Sequence, residues 1–135
     1  MRVAKRDYYL DIARAVSQRS TCLRRQYGAI IVKNDEIIAT GYNGSPRGED
    51  NCDDIGTCYR IEMKVPHGQM YEKCVAVHAE MNAIISAPRH EMMDSTLYLV
   101  GFQNGEEIVG EPCEICRRLI TNAGIKEVIN IETKY

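Results

Sequence analysis

Two short stretches constrain this chain more than any other: His78-Ala79-Glu80 and Pro112-Cys113-Glu114-Ile115-Cys116. Each reads as the opening of a helix. One offers an imidazole and a carboxylate, the other two thiols. Cys113 and Cys116 are three apart, so on a helix both sulfurs lie on one side. They fall where free amide N–H groups and the helix dipole favour thiolate, the form that binds metal, and Pro112 suits the start of such a turn. A His-Cys-Cys set leaves one position of a tetrahedral zinc for water, the pattern of a catalytic site. Glu80 is not needed as a ligand. It is placed to carry protons from a water whose pKa zinc lowers to about 7. Alone, C-x-x-C marks a redox or structural pair as readily, and His-x-Glu is only a helix start; the combination is specific.

The rest of the chain supplies a frame for these motifs. Asp7 is expected to cap a first helix whose Tyr9, Ile12, Ala13 and Val16 form one apolar stripe, ending near residues 18–20. Tyr27-Gly28-Ala29-Ile30-Ile31-Val32 reads as a strand, residues 33–36 as a turn and residues 37–41 as a second, antiparallel strand. The following run, Gly41-Tyr42-Asn43-Gly44-Ser45-Pro46-Arg47-Gly48, is either a surface turn or a ligand loop in which glycine lets the backbone approach a small molecule. Residues 49–77 carry little pattern, with one short helical turn expected around 58–63. A helix over 78–87 should end at Pro88. A strand over 96–100 and a polar excursion over 101–111 follow. A helix over 113–123 has Cys116, Leu119, Ile120 and Ala123 on one side and Gly124 as its stop. A last strand occupies 125–131. The order predicts an α/β fold: a mixed central sheet with helices on both faces, whose later strands are joined by right-handed parallel crossovers.

Composition narrows the function. The chain of 135 residues is expected to form a single domain spanning residues 1–135. A net charge of −2 with no Trp and one Phe argues against a nucleic-acid surface with stacking side chains. No window is apolar enough to span a membrane, and residues 1–7 lack the apolar core of a signal peptide, so a cytoplasmic location is expected. In such a reducing compartment six cysteines point to metal or catalysis before disulfides. Beyond Cys113 and Cys116 these are Cys22, Cys52, Cys58 and Cys74. Either they hold a second, structural zinc, with His67 able to replace one thiol, or they are buried free thiols. His90 reads as a surface residue.

His78-Ala79-Glu80-Met81-Asn82-Ala83-Ile84 with Pro112-Cys113-Glu114-Ile115-Cys116 resembles the cytidine/deoxycytidylate deaminase family. Ser20-Thr21-Cys22-Leu23-Arg24, the strand from Tyr27 to Val32 and the run from Gly41 to Gly48 narrow the resemblance to its dCMP deaminase branch. Tyr27 departs from it, standing where a small aliphatic residue is usual. The resemblance covers nearly the whole chain and implies a three-layer α/β/α sandwich of the cytidine deaminase type. It implies one catalytic Zn2+ and hydrolysis of dCMP to dUMP and ammonia, with attack at cytosine C4 and Glu80 as the proton shuttle. It further implies that Asn43 holds the sugar or base edge and that Arg24, with Ser45 and Arg47 behind it, meets the phosphate. The Ala79 N–H would meet the pyrimidine carbonyl. A second zinc near the Cys52, Cys58 and Cys74 segment, a homo-oligomer (hexamer or dimer) and dCTP and dTTP as effectors are also implied. The competing readings are a deaminase of another base, such as tRNA adenosine or guanine, and a non-catalytic zinc-stabilised module. Glu80 separates the last from the others, because a structural site has no use for a free carboxylate.

Overall fold

The computed structural model describes residues 2–48, 51 and 76–133. Cys52, Cys58, His67, Cys74 and the turn expected at 58–63 lie outside the described residues. In chain order the elements are α1 (Lys5–Ser17), β1 (Gln26–Lys33), β2 (Glu36–Tyr42), α2 (Ala79–Ile85), α3 (Arg89–Met92), β3 (Thr96–Gln103), β4 (Glu106–Ile108), α4 (Glu114–Ala123) and β5 (Glu127–Ile129).

The sheet runs β2-β1-β3-β4, and β5 also pairs with β3. β1 is antiparallel to both β2 and β3, so β2 and β3 run the same way with β1 between them. β5 lies parallel to β3, with Thr96 opposite Glu127, and β4 folds back antiparallel on its other end. The sheet is therefore mixed, and its two crossovers, β2-α2-β3 and β3-α4-β5, are the parallel ones.

Side chains alternate across the sheet, as the two-residue period of a strand requires. Ile30, Val32, Tyr98 and Val100 point to one face and pack with Tyr9, Leu10 and Ala13 of α1. Ala29, Ile31, Leu97 and Leu99 point to the other and pack with Ala79 and Ala83 of α2, Met92, and Ile120 and Ala123 of α4. Because both faces are covered, the central strands are almost continuously apolar. Each fully buried Leu, Ile or Val contributes about 1.5–3 kcal/mol of transfer free energy. The three layers are α1, the sheet, and α2 with α4, as the element order predicts.

Several local expectations shift. Ala4, without a side-chain bond, occupies the cap position of α1, and Asp7 sits inside the first turn, where its charge still favours the helix dipole. Leu10 and Ser17 are buried on its packed face, whereas Ile12 and Val16 are only half-buried. Pro88 ends α2 but also caps α3, a helix the sequence reading omits. The polar excursion over 101–111 contains the end of β3, a two-residue turn and β4. Asn104 and Gly105 both have positive φ (53° and 79°), the conformation of a tight hairpin turn that Asn-Gly favours. Leu119 is 38% exposed, so it lies at the rim of the packed face. Tyr27 is accommodated by its cross-strand partner: a Cβ on Gly101 would lie 2.6 Å from the Tyr27 ring.

Helix α1 seats directly on β1. A Cβ on Gly28 would stand 2.2 Å from the Ala13 carbonyl oxygen and 2.6 Å from the Ser17 nitrogen, so only glycine permits this approach. The helix is also tied to the β1–β2 turn by the Tyr9 hydroxyl, which donates to the Asp35 carboxylate. Burial, reinforced by Asp35, pushes the Tyr9 hydroxyl up from 10.0 to about 12. The Asp35 carboxyl, holding the Tyr9 hydroxyl and facing Lys5, is held below its usual range. A tyrosine whose ionisation is raised on folding contributes stability that is intact below the unfolded value and is lost as pH climbs through the folded one. The melting temperature of the protein should therefore fall between about pH 10 and pH 12, and Tyr9→Phe should flatten that fall while lowering the melting temperature at neutral pH. A variant whose alkaline profile matches wild type would remove Tyr9 from this account.

Candidate metal centre

The first ligand is placed by β2 and the segment that meets it. Gly44 and Val77 pair as an isolated bridge, Gly44 N to Val77 O at 3.1 Å and Val77 N to Gly44 O at 2.6 Å. His78 follows at once as the cap residue of α2, with extended backbone (φ −70°, ψ 154°). Its imidazole does not cap the helix and instead faces the sulfurs. Helix α2 lies on β2 with almost no gap: a Cβ on Gly41 would stand 2.3 Å from the Ala79 carbonyl oxygen and 2.4 Å from the Ala83 nitrogen. The Asn82 carboxamide donates to the Tyr42 carbonyl at 2.8 Å and fixes the helix along the strand. The glycine at 41 thus admits a helix, a role outside both the surface turn and the ligand loop expected of the run it opens.

The other ligands come from α4. Cys113 is its cap residue, and its sulfur accepts from the Cys116 N–H at 3.4 Å. Cys116 is fully buried one turn further on. Gly124, at φ 88°, closes the helix in the left-handed conformation that favours glycine. The Asp94 N–H on the Gly124 carbonyl and the Lys126 N–H on the Ser95 carbonyl, both at 2.9 Å, tie its end to the start of β3.

His78 Nδ1 stands 3.2 Å from Cys116 Sγ and 3.6 Å from Cys113 Sγ. All three donor atoms lie within 4.8 Å of one another, and among the described residues this is the one cluster of three or more such groups. A tetrahedral ion with ordinary zinc–nitrogen and zinc–sulfur bonds would separate such donors by about 3.6 Å. Nδ1 is the nitrogen turned to the site.

Glu80 is buried at 5% exposure, beside Cys116. Burial pushes its carboxyl upward, only partly offset by its own backbone N–H and by Cys116. Burial also drives the Cys116 thiol upward, and the charges of Glu80 and Cys113 add to it. Cys116 and Glu80 are packed together out of water with Cys113 half-buried beside them, and a cation bound there would favour the thiolate forms. The donor set therefore fits Zn2+: one borderline nitrogen and two soft sulfurs, with a coordination position to spare.

The remaining expected residues fall as follows. Asn43 is buried, and its carboxamide is engaged with the chain itself: Oδ1 accepts from the Tyr27 N–H at 2.8 Å and the Ser20 hydroxyl at 2.6 Å, and Nδ2 donates to the Arg25 carbonyl at 2.9 Å. Ala79 is buried, and its N–H is one of the helix-opening donors without an intrahelical partner. Ser45 is half-buried, and its hydroxyl is enclosed without a hydrogen-bond partner among the described residues. Arg24 is half-buried, Arg47 exposed, and His90 exposed as expected. Cys22 is a half-buried free thiol that joins no metal-capable cluster among the described residues. The sequence reading misses Gly41 as the seat of α2. It also misses Asn43 as a backbone clasp. Neither has a local signature, because each role depends on a segment distant in sequence.

A covered mixed sheet that brings together three side chains able to hold a metal and a buried carboxylate, from two helix starts, is the frame of a metal-dependent hydrolytic enzyme. The chain belongs to the cytidine and deoxycytidylate deaminase family, whose zinc-binding region matches residues 3–132. It is 39% identical over 128 residues to the deoxycytidylate deaminase of Mycobacterium phage D29, covering 91% of this chain and 91% of that protein. The deoxycytidylate deaminase of Schizosaccharomyces pombe is 34% identical over 122 residues, 90% of this chain but 35% of that longer protein. Among solved structures, the dCMP deaminase of cyanophage S-TIM5 in complex with dCMP and dUMP superposes with a TM-score of 0.63 at 28% identity, over 95% of this chain and 81% of that one.

The close seating of α2 gives a direct test. Gly41→Ala should lower stability by about 1–3 kcal/mol, the usual range for overpacking, and should weaken zinc retention against a chelator, because His78 and Glu80 ride on the displaced helix. Thr40→Ala, at the neighbouring exposed position, serves as the control. Zinc retention equal to wild type in Gly41→Ala would show that the ligand geometry does not depend on this contact.

Proposed function

We propose that this protein deaminates dCMP hydrolytically, giving dUMP and ammonia, and so serves pyrimidine deoxynucleotide supply. The observation that carries the reading is the Glu80 carboxylate, buried beside Cys116 within a His78-Cys113-Cys116 cluster. His78, Cys113 and Cys116 would hold a zinc ion, which would supply Lewis acidity and lower the pKa of a water to about 7. Glu80 takes a proton from the attacking water and delivers it to the ring nitrogen as the C4–O bond forms. It then carries a second proton to the amine as the C4–N bond breaks. Burial pushes its carboxyl upward, and a carboxyl held beside the reacting atoms can relay protons by general acid–base catalysis. The Ala79 N–H, at the start of α2, supplies a donor to the pyrimidine carbonyl.

The preference for a nucleotide over a polynucleotide is supported by the net charge of −2 and the absence of Trp, and by relatives named deoxycytidylate deaminase. Arg24 is assigned to the phosphate, with Ser45 and Arg47 as further contacts. The Ser45 hydroxyl, enclosed and without a partner among the described residues, suits a residue that waits for a ligand oxygen. Asn43 keeps one Nδ2 hydrogen beyond its bonds to described residues, which can reach a sugar or base edge. The reading extends to a single-domain chain in a homo-oligomer, dimer or hexamer, regulated by dCTP and dTTP and located in the cytoplasm. No helix among the described residues is long and apolar enough to cross a membrane. Cys22, Cys52, Cys58 and Cys74, with His67 as an alternate, are assigned to a second, structural zinc. Metal analysis tests this, since a single zinc per chain would end it.

Ammonia release measured across cytosine, deoxycytidine, dCMP, CMP and dCTP, with and without dCTP as effector, should show dCMP as the best substrate. Glu80→Gln should keep its zinc and lose turnover by about 10²–10⁴-fold or more, the usual contribution of a proton relay. Turnover retained in that variant would overturn the mechanism. Arg24→Ala should raise KM for dCMP with little change for deoxycytidine. Equal loss on both would remove its phosphate role.

A further inference from the structure

Three separate pieces of chain meet at the end of β2. Asn43 closes the strand, Gly44 pairs with Val77 directly before the metal ligand His78, and residues 20–25 lie alongside as an irregular segment between α1 and β1. The bonds across this junction converge on one buried residue. The Asn43 carboxamide takes the Tyr27 N–H and the Ser20 hydroxyl on its oxygen and gives a hydrogen to the Arg25 carbonyl. Its backbone carbonyl accepts from the Thr21 N–H at 3.3 Å and lies 2.9 Å from the Ser20 hydroxyl. Ser20 in turn accepts from the Cys22 N–H at 3.3 Å. A Cβ on Gly44 would stand 2.7 Å from the Thr21 hydroxyl, so the segment is pressed against the strand end with no spare room.

We infer that Asn43 is a positioning residue: it locks residues 20–25, and Arg24 with them, against the strand end that leads into His78. This rests on the dCMP deaminase reading and on the assignment of Arg24 to the phosphate, and it names how phosphate recognition is kept in register with the metal site. The segment has no ladder of its own, so its backbone groups need partners from elsewhere, and Asn43 offers its backbone carbonyl to the Thr21 N–H and its Nδ2 to the Arg25 carbonyl. Three of the four amide hydrogen-bonding positions of Asn43 are taken, by Ser20, Arg25 and Tyr27. A carboxamide serving substrate alone would leave those positions open in the ligand-free protein. Its neighbours bracket the two halves of the site: Gly44 is bonded to the residue before the metal ligand, and the Asn43 backbone and side chain to the residues on either side of Arg24. A shift of the segment would move the guanidinium relative to the ion without touching the ion itself.

The test uses zinc-loaded, ligand-free protein and steady-state kinetics together. In Asn43→Ala, the Tyr27 amide should lose hydrogen-exchange protection before any substrate is added, KM for dCMP should rise about tenfold or more, the equivalent of one to two buried hydrogen bonds, and zinc content should stay at the wild-type level. Ser20→Ala removes one bond to Asn43 and the acceptor for the Cys22 N–H. It should shift the same two readouts in the same direction by less, and it keeps the test open should Asn43→Ala fail to fold. Unchanged Tyr27 protection alongside a raised KM would assign Asn43 to direct substrate contact and overturn the positioning role; so would a loss of zinc equal to that caused by removing a ligand. If the wild-type protein released no ammonia from any cytosine compound, the functional reading would fall, while the exchange measurements would still decide whether Asn43 holds the segment.

Discussion

The arrangement depends on two helices coming closer to the sheet than a side chain would allow. Gly28 and Gly41 stand on neighbouring strands, one beneath α1 and the other beneath α2, and in each case backbone atoms of the helix occupy the space of an absent methyl group. Because Gly28 seats α1 and Gly41 seats α2, the sheet is clamped from both faces near the same end. Everything chemical follows from the second contact. It sets the height of α2 above β2, and that height fixes where His78 and Glu80 stand relative to the sulfurs delivered by α4. The ligands belong to separate segments, so their agreement to within a few ångströms is a property of the packing.

Burial then gives the cluster its character. Cys116 and Glu80, enclosed together, each prefer to be neutral, and burial is the leading cause of the upward shift at both. An ion reverses that preference at the sulfurs by direct bonding. Glu80 is not among the donor atoms of the cluster, so its carboxyl stays outside the shell those donors would form. One environment thus offers two roles: sulfurs that can bind a metal and a carboxyl that is not needed to hold it.

Much of this was legible from residue order alone. The His-x-Glu and Pro-Cys-x-x-Cys motifs disclosed the cluster of His78, Cys113 and Cys116 because metal chemistry restricts residue types and spacing more tightly than packing does. The apolar runs of β1 and β3 disclosed the buried sheet for the same kind of reason, since only a strand covered on both faces tolerates them. What escaped was of two sorts. The hairpin at Asn104-Gly105 was within reach, because Asn-Gly between short β-type runs is a strong turn signal, but the polar flanks of β4 masked it. The short α3 falls outside the expectation because Pro88, a stop signal for α2, also caps a new helix. The roles of Gly41, Gly101 and Asn43 were out of reach in principle. Each answers a partner far away in the chain: the backbone of α2, the ring of Tyr27 and the amides of residues 20–27.

The division of the ligands between α2 and α4 has a kinetic corollary. Both helices must be docked for the coordination sphere to close, so the ion should leave only when one of them lifts from the sheet. Escape of metal to an external chelator, followed over time, would then act as a clock for that opening motion, running fastest wherever the hold on either helix is loosened. The dwell time of the ion becomes a gauge of breathing in the protein around it.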